Sequence, residues 1–251
     1  MNTIFILQTN GDFEPADLYQ AYRGFKYLGY SIFPFEKADL YNLPLTKETI
    51  VVGDIKTVRA SFDILGVKQP AILSMPPELE EYAYRPIWTS TLGKIREDIE
   101  KGSPIFAKPL EHHKLFTGQV FSTFKDLIPT AHLSGDTRVL CSEPVNMIAE
   151  FRGYVHKGHL IGLKHYKGDW YEPPQSDTIF KIITEWKDQP IAYSIDIAMV
   201  PWIDGKCVED AYDRKEVLIE INDAFALGNY GLHYIDYAKM IKDRWFEIVS
   251  Q

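Results

Sequence analysis

The stretch Val217-Leu218-Ile219-Glu220-Ile221-Asn222 is typical of a β-strand that carries two oxygen-bearing side chains among apolar ones. Because side chains alternate between the two faces of a strand, Glu220 and Asn222 point the same way. Asp196 lies in another strand-like run, 193–200, and supplies a third oxygen donor if the two strands are neighbours. Such hard donors suit Mg²⁺, which typically shares its coordination with water and nucleotide phosphates. The pattern predicts an ATP site in front of these strands.

Each carboxylate of this set also has a simpler explanation. Taken singly, Asp196 or Glu220 is explained by a solvated position at the protein surface. The set is more specific than its members, because Asn222 follows the acids within a strand and has little reason to be there unless it is paired. The three residues are therefore candidate metal ligands.

The bulk composition limits the class of protein. The chain has 251 residues, 45% of them hydrophobic, and this length suits one large domain or two small ones. Its net charge of −8 argues against sequence-independent nucleic-acid binding, although a local basic pocket is compatible with it. We expect no nucleic-acid partner.

The sequence also predicts where the protein works. Cys141 and Cys207 are far apart and lack metal-ligand spacing, so we expect two reduced thiols. The N-terminal residues lack the basic and apolar regions of a signal peptide. No stretch approaches the ~20 apolar residues of a membrane span. We expect a cytoplasmic protein that does not associate with membranes.

Two regions with different patterns follow one another along the chain. Residues 1–90 alternate strand-like and helix-like segments, including a short strand at 71–73, and predict a small α/β unit with a parallel sheet. Residues 91–251 begin with a linking helix at 91–101, then predict a mostly antiparallel α+β domain that ends in a helix at about 233–248. The boundary between the two is expected near 85–104.

Lys108 lies inside an apolar strand-like segment, 104–108. A lysine is costly to bury there unless its charge meets an anion, and phosphate is the obvious anion. The alternative is a side chain that lies along the strand edge with its amine in water. The polar loop that follows, 110–118, contains a glycine and is a candidate to fold over phosphates.

The strand at 138–142 breaks at Glu143-Pro144-Val145-Asn146 and resumes at 147–155. Such a break leaves backbone donors and acceptors that a flat heterocycle such as adenine can satisfy. On the resumed strand Glu150 and Arg152 share one face, where a carboxylate can accept hydrogen bonds from ribose hydroxyls and a guanidinium can grip phosphate or carboxylate. The alternative is a simple ion pair between these two residues. Lys164, on the next strand, is a second candidate phosphate ligand.

Taken in order, these features resemble the ATP-grasp superfamily. The resemblance covers about residues 104–232, and the N-terminal unit resembles the domain that usually precedes an ATP-grasp domain. The segment Asp223-Ala224-Phe225-Ala226-Leu227-Gly228-Asn229-Tyr230-Gly231 resembles that of a small clade of short ATP-grasp proteins related to the pheganomycin-type peptide ligases. The implied fold is the ATP-grasp fold, built from antiparallel sheets with helices and preceded by a small α/β domain.

The resemblance also implies roles for individual residues. It assigns phosphate binding to Lys108, the adenine hinge to Glu143, Pro144, Val145 and Asn146, ribose binding to Glu150, and one or two Mg²⁺ ions to Asp196, Glu220 and Asn222. Two departures stand out. Many members carry an arginine two residues before the first metal aspartate, where this chain has Ser194. The earlier phosphate-binding lysine of the superfamily has no clear counterpart upstream of Lys108.

The implied activity is ATP-dependent ligation of a carboxylate to an amine. ATP would phosphorylate the substrate carboxylate, and an amine from an amino acid, a peptide or a protein terminus would displace phosphate from the acylphosphate. Arg152 would steady the acceptor carboxylate or the acylphosphate, Lys164 would add positive charge, and closure of loop 110–118 would exclude water. Two alternatives remain: a kinase on the same fold, and an ATP-binding interaction or sensor protein without turnover.

Overall fold

The computed structural model of the protein describes residues 3–110, 115–175 and 177–251. The chain begins with a three-stranded parallel sheet in the order β2–β1–β3, whose strands alternate with two helices. Its elements are β1 (Thr3–Gln8), α1 (Ala16–Tyr27), β2 (Ser31–Glu36), β3 (Ile50–Val52) and α2 (Ile55–Ile64). Ile4, Ile6 and Val51 are fully buried between sheet and helices. The expected small α/β unit is confirmed.

The C-terminal helix α5 (Tyr234–Val249) completes the core of this first unit. It crosses α1 at Gly24, where a β-carbon would lie only 2.2 Å from the carbonyl oxygen of Tyr234. Trp245 of α5 packs on Phe62 of α2 with ring centroids 4.9 Å apart. The proposed division at residue 90/91 stays a prediction, and α5 belongs by its packing with the N-terminal core.

A small antiparallel sheet follows, in the order β4–β7–β5–β6. Its strands are β4 (Ile87–Thr91), β5 (Ile105–Pro109), β6 (Gln119–Phe121) and β7 (Arg138–Ser142), and helix α3 (Leu92–Ile99) covers one face. Strand β4 was not expected from the sequence, and α3 is shorter than the predicted helix at 91–101. Residues 111–114 of the loop expected to close over phosphates lie outside the described residues.

The central sheet holds the longest strands, with β9, β8, β10 and β12 as successive antiparallel neighbours. Its strands are β8 (Ala149–His156), β9 (His159–Gly168), β10 (Ala192–Ile203), β11 (Lys206–Cys207) and β12 (Arg214–Asp223). One face is apolar and packs against α4 (Asp177–Glu185). The other face carries the polar residues that the sequence singled out.

Strand β12 contains a β-bulge beside these polar residues. Asp196 pairs with Glu220, whereas the next residue of β10, Ile197, pairs with Leu218. Ile219 is therefore an extra residue on β12. Bulges of this kind re-aim the side chains that follow them.

Two further expectations can be compared with the structure. The predicted strand at 71–73 is wrong: residues 71–73 are irregular, and Ser74 makes only an isolated bridge to Ile221. Within the described part of the chain, no helix has the length and apolar character needed to cross a membrane.

Candidate active site

Four charged side chains lie in one row across the central sheet. Lys164 of β9 pairs with Arg152 of β8, Arg152 pairs with Asp196 of β10, and Asp196 pairs with Glu220 of β12. Residues that face each other directly on antiparallel strands project from the same face of the sheet. The row therefore brings together, on one face, side chains that come from four different strands.

The three candidate metal ligands converge at one end of this row. The side-chain amide of Asn222 donates to Asp196 Oδ2 at 3.1 Å and to Glu220 Oε1 at 3.0 Å. Asp196 is only 2% exposed, whereas Glu220 and Asn222 are half-buried at the edge of a cleft. The expected grouping of these side chains is present in the structure.

Arg152 holds Asp196 in a two-pronged ion pair. Its Nε donates to Asp196 Oδ1 and its Nη2 to Oδ2, each at 2.7 Å. Burial raises the pKa of Asp196 to about 6, although Arg152 acts in the opposite direction. Asp196 is thus mostly ionised at neutral pH. The pairing was not expected, since Arg152 was predicted to face a substrate carboxylate or an acylphosphate.

Lys108 reaches the same group from the small sheet. Its Nζ lies 2.6 Å from Glu220 Oε2, so the ion pair joins β5 to β12. Burial opposes the charge on Glu220, but Lys108 and Asn222 hold the pKa of this carboxyl below its usual value. Lys108 therefore does not extend along a strand edge into water, which was the alternative explanation for this lysine.

Glu150 is buried beside the row and has partners of its own. It accepts a hydrogen bond from the Tyr166 hydroxyl at 3.0 Å and pairs with Lys167 at 2.7 Å. Since Arg152 pairs with Asp196, the alternative of a simple Glu150–Arg152 ion pair is wrong.

Lys164 is half-buried and has no ion-pair partner among the described residues. It lies directly opposite Arg152, and two like charges in that relation repel each other. Counted together, Lys108, Arg152 and Lys164 supply three positive charges against the two carboxylates of Asp196 and Glu220. The row with its lysine from the small sheet is suited to an anion.

The chain between β7 and β8 leaves regular structure at the predicted adenine hinge, residues Glu143, Pro144, Val145 and Asn146. Val145 packs against a buried apolar cluster of Ala198, Val200 and Val217 on the polar-row side of the sheet. The side-chain amide of Asn146 donates to the carbonyl of Glu209 at 2.7 Å and so holds a neighbouring loop. A flat apolar ring would find irregular backbone on one side and aliphatic side chains on another.

Some residues of this region were missed by the sequence reasoning. Arg85 donates to the carbonyls of Ala83 and Leu218, each at 3.0 Å, and to Ser142 Oγ at 3.3 Å. Burial lowers its pKa to about 10, and it lines a space of about 40 Å³ with Lys108 between the two sheets. No sequence signal marks Arg85, since it follows an irregular segment.

A cleft of about 720 Å³ opens from the metal-ligand candidates toward the N-terminal unit. Glu220 and Asn222 line one end, and Asp17 and Asp54 of the first unit line the other. A second space of about 500 Å³ lies beside the hinge and is lined by Trp88, with none of the four residues of the charged row. The larger cleft therefore joins the candidate site to the N-terminal unit.

Comparison with known families identifies the fold's lineage. Residues 82–240, well over half of the chain, match a family of ATP-grasp domains that is the second family of its clade. The chain belongs to this family. Its predicted membership of the ATP-grasp superfamily is confirmed, and the predicted class of enzyme, an ATP-dependent ligase of the ATP-grasp type, follows from that membership.

Solved ATP-grasp structures share the fold along nearly the whole chain. D-cycloserine synthetase DcsG has a TM-score of 0.60 at 10% identity, over 97% of this chain and 99% of that one. A RimK domain ATP-grasp protein from Sphaerobacter thermophilus has a TM-score of 0.56 at 13% identity, over 99% and 100%. D-alanine–D-alanine ligase from Bacillus anthracis, complexed with ATP, has 0.53 at 12%, over 100% and 99%. No curated protein matches the chain.

The residues of this ATP-grasp protein fit a divalent cation shared with a nucleotide. Among the described residues no group of three His, Cys, Asp or Glu side chains forms a closed metal cage. Asp196, Glu220 and Asn222 supply two carboxylates and one amide, which leaves several positions for water and phosphate. Such incomplete oxygen sites are the usual protein contribution to Mg²⁺ binding.

Proposed function

We propose that the protein joins a carboxylate to an amine at the expense of ATP, through an acylphosphate and with release of ADP and phosphate. The observation that carries this proposal is the charged row Lys164–Arg152–Asp196–Glu220, met by Lys108 from the facing sheet. It combines oxygen donors for a cation with a surplus of positive charge for phosphates. Phosphoryl transfer needs such positioning and charge neutralisation more than covalent help.

We place the adenine at residues 143–146, against the apolar cluster that Val145 contacts. Glu150 lies on β8 between this hinge and Arg152, and would accept hydrogen bonds from the ribose hydroxyls in place of Tyr166 or Lys167. The phosphates would then lie over the charged row, with Lys108 and Lys164 as fixed cations. Mg²⁺, held by Asp196, Glu220 and Asn222, would neutralise charge on the transferred phosphoryl group.

The acceptor carboxylate would approach from the cleft of about 720 Å³ that leads to the N-terminal unit. Arg152 is the cation that takes the place of the arginine missing at position 194, because its guanidinium is already paired with Asp196 at 2.7 Å. Ser194 leaves room on the same face of β10: it is fully buried, and its Oγ has no hydrogen-bond partner. Arg152 would therefore act beside the metal ligands.

Hydroxylamine tests this proposal without knowledge of the natural amine. Purified protein, MgATP, hydroxylamine and pools of amino acids or short peptides are incubated together, and products are identified by mass spectrometry. An acylphosphate reacts with hydroxylamine to give a hydroxamate and free phosphate, so we expect hydroxamate and ADP in equal amounts. Omission of the carboxylate pool should reduce ADP release to background.

The same assay separates the alternative functions. A stable phosphorylated product without hydroxamate would support a kinase. Tight ATP binding with unchanged ATP under every pool would support a binding protein without turnover. The variant Glu143→Ala keeps the backbone of the hinge, whereas Lys108→Ala removes a phosphate cation. We expect Lys108→Ala to weaken ATP binding more than Glu143→Ala does.

A further inference from the structure

Arg152 is enclosed by two tyrosine rings that the mechanism above does not use. Its guanidinium carbon lies 4.9 Å from the ring centre of Tyr230 and 5.8 Å from that of Tyr166. The two rings are stacked with centroids 5.0 Å apart and an interplanar angle of 23°. A guanidinium within about 6 Å of a tyrosine ring is attracted by the negative face of the ring.

Tyr230 reaches this position through an uncommon backbone conformation. Its φ is +42°, in the left-handed region that bulky residues rarely adopt, and Gly231 follows at +83°. Such conformations persist where the surrounding structure holds them, and they are concentrated at functional sites. The loop 228–231 therefore aims the ring at Arg152 at some conformational cost.

Several hydrogen bonds hold this loop in place. The buried hydroxyl of Tyr154 lies 2.7 Å from the carbonyl oxygens of both Gly228 and Asn229, to which it can donate. The Asn229 side chain donates to the carbonyl of Leu232 at 2.9 Å and accepts from the backbone N–H of Gly231 at 2.9 Å. Together these bonds fix the backbone on either side of Tyr230.

The loop is also tied to the N-terminal unit. The backbone N–H of Asn229 donates to Asp17 Oδ1 of α1 at 2.7 Å. Asp17 and Gly228 both line the cleft of about 720 Å³. The position of the Tyr230 ring thus depends on contacts with both parts of the molecule.

We propose that Tyr230 is a positioning residue for the reaction: its ring holds the Arg152 guanidinium on Asp196 and fixes the direction from which Arg152 can meet a substrate anion. This inference rests on the function proposed above. Tyr166 supports the ring from the other side, and its hydroxyl is committed to Glu150. The Nη1 atom of Arg152 lies 3.5 Å from the place a β-carbon on Gly228 would occupy, so the guanidinium has little room to rotate.

The kinetic test separates the ring from the backbone. Tyr230→Asn tolerates positive φ but removes the ring, and we expect kcat in the hydroxamate assay to fall about ten-fold with KM for ATP changed less than about two-fold. Tyr230→Phe retains the ring and should recover most of that loss. Tyr212→Asn, at a tyrosine 99% exposed outside the cleft, is the matched control.

A double-mutant cycle then tests whether Tyr230 acts through Arg152. In an Arg152→Lys background, Tyr230→Asn should lower kcat less than about two-fold, because its target is already gone. Independent, multiplicative losses would overturn the proposal. So would a rise in KM for ATP with unchanged kcat, which would make Tyr230 a nucleotide contact.

A spectroscopic measurement keeps the inference testable if no hydroxamate forms. Hydrogen exchange of the Arg152 Nε–H, followed by NMR and assigned through Arg152→Lys, should be slow in the wild type and about ten-fold faster in Tyr230→Asn, because local opening becomes easier. Equal exchange in both proteins would contradict positioning by Tyr230. Absence of hydroxamate with slow, Tyr230-dependent exchange would contradict the proposed function and leave the positioning role supported.

Discussion

The molecule contains two buried arginine–aspartate pairs built in nearly the same way. Arg152 contacts both oxygens of Asp196 at 2.7 Å. Arg244 of α5 contacts those of Asp223, at the end of β12, at 2.8 and 2.6 Å. All four side chains are less than 10% exposed. Geometry alone does not distinguish the two pairs.

Their surroundings differ in the sign of the remaining charge. Arg244 also pairs with Glu247 at 2.6 Å, so two acids surround one cation and the group needs no further anion. Arg152 instead lies beside Lys164, and its aspartate adjoins Glu220, which Lys108 contacts. The first arrangement joins α5 to β12, whereas the second presents cations and oxygen donors to a ligand. Charge surplus, rather than burial or pair geometry, identifies the pair to which we assign a chemical role.

The largest effect should follow from removing an acid of the site. Glu220→Gln keeps the size of the side chain but removes its charge, and we expect ATP-dependent hydroxamate formation to fall about 1000-fold, since charge stabilisation of the transferred group is lost. Asp223→Asn makes the matched change in the other pair and should leave measurable activity in protein that remains folded. Comparable rates for Glu220→Gln and wild type would sink the metal-ligand assignment.

Lysine substitutions in the two pairs should have opposite effects on rate and stability. Arg152→Lys retains charge but loses the fork, and kcat should fall about 100-fold with a small change in Tm. Arg244→Lys should leave kcat within about two-fold but lower the free energy of unfolding by about 2 kcal/mol, or roughly 4–8 °C in Tm.

Thermal unfolding and the hydroxamate assay on both variants check this prediction. If Arg244→Lys lost activity as strongly as Arg152→Lys at a temperature where both are folded, the distinction between the two pairs would be wrong.

The smallest effect concerns Asp243, the neighbour of Arg244 on α5. Asp243 contacts His156, Lys157 and Lys242 at 2.8–2.9 Å. Burial acts to raise its pKa, but these contacts lower the pKa to about 2. Because the folded-state value lies below the ordinary one, the stabilisation is complete above the unfolded pKa of about 4 and is lost as pH falls toward 2.

Urea titrations of wild type and Asp243→Asn measure this contribution. After allowance for solvent screening we expect the wild type to be more stable by about 1 kcal/mol at pH 6, and by about half as much at pH 3. A difference that stays constant between these pH values would contradict a role for ionised Asp243. The result would also show what acid–base contacts contribute outside the site.

The site's chemistry could be inferred from sequence wherever it depended on local spacing. Glu220 and Asn222 share a face because strands alternate, and Lys108 within an apolar strand implied an anion; the structure brings all three together. The Arg152–Asp196 pair could not be inferred, because it depends on the register of two strands 44 residues apart in sequence.

The errors in the fold have similar causes. The apolar run 71–73 looked like a strand, but it lies in a segment that Arg59 holds by bonds to Gln69 and to the carbonyl of Pro70. Strand β4 was missed because its partner β7 is about fifty positions away, and no local pattern reports that pairing. Tyr230 was visible as an aromatic residue, but its backbone conformation and its target were not.

The extra residue Ile219 makes the site sensitive to chain length as much as to residue identity. Without that bulge, the two-residue period of β12 would turn Glu220 and Asn222 into the apolar layer over α4 and bring Ile221 to the cleft. Deleting one residue between 214 and 219 would therefore remove the site while leaving every ligand in the sequence. In relatives and in designed variants, β12 should tolerate changes of aliphatic side chain far better than a change in the number of its residues.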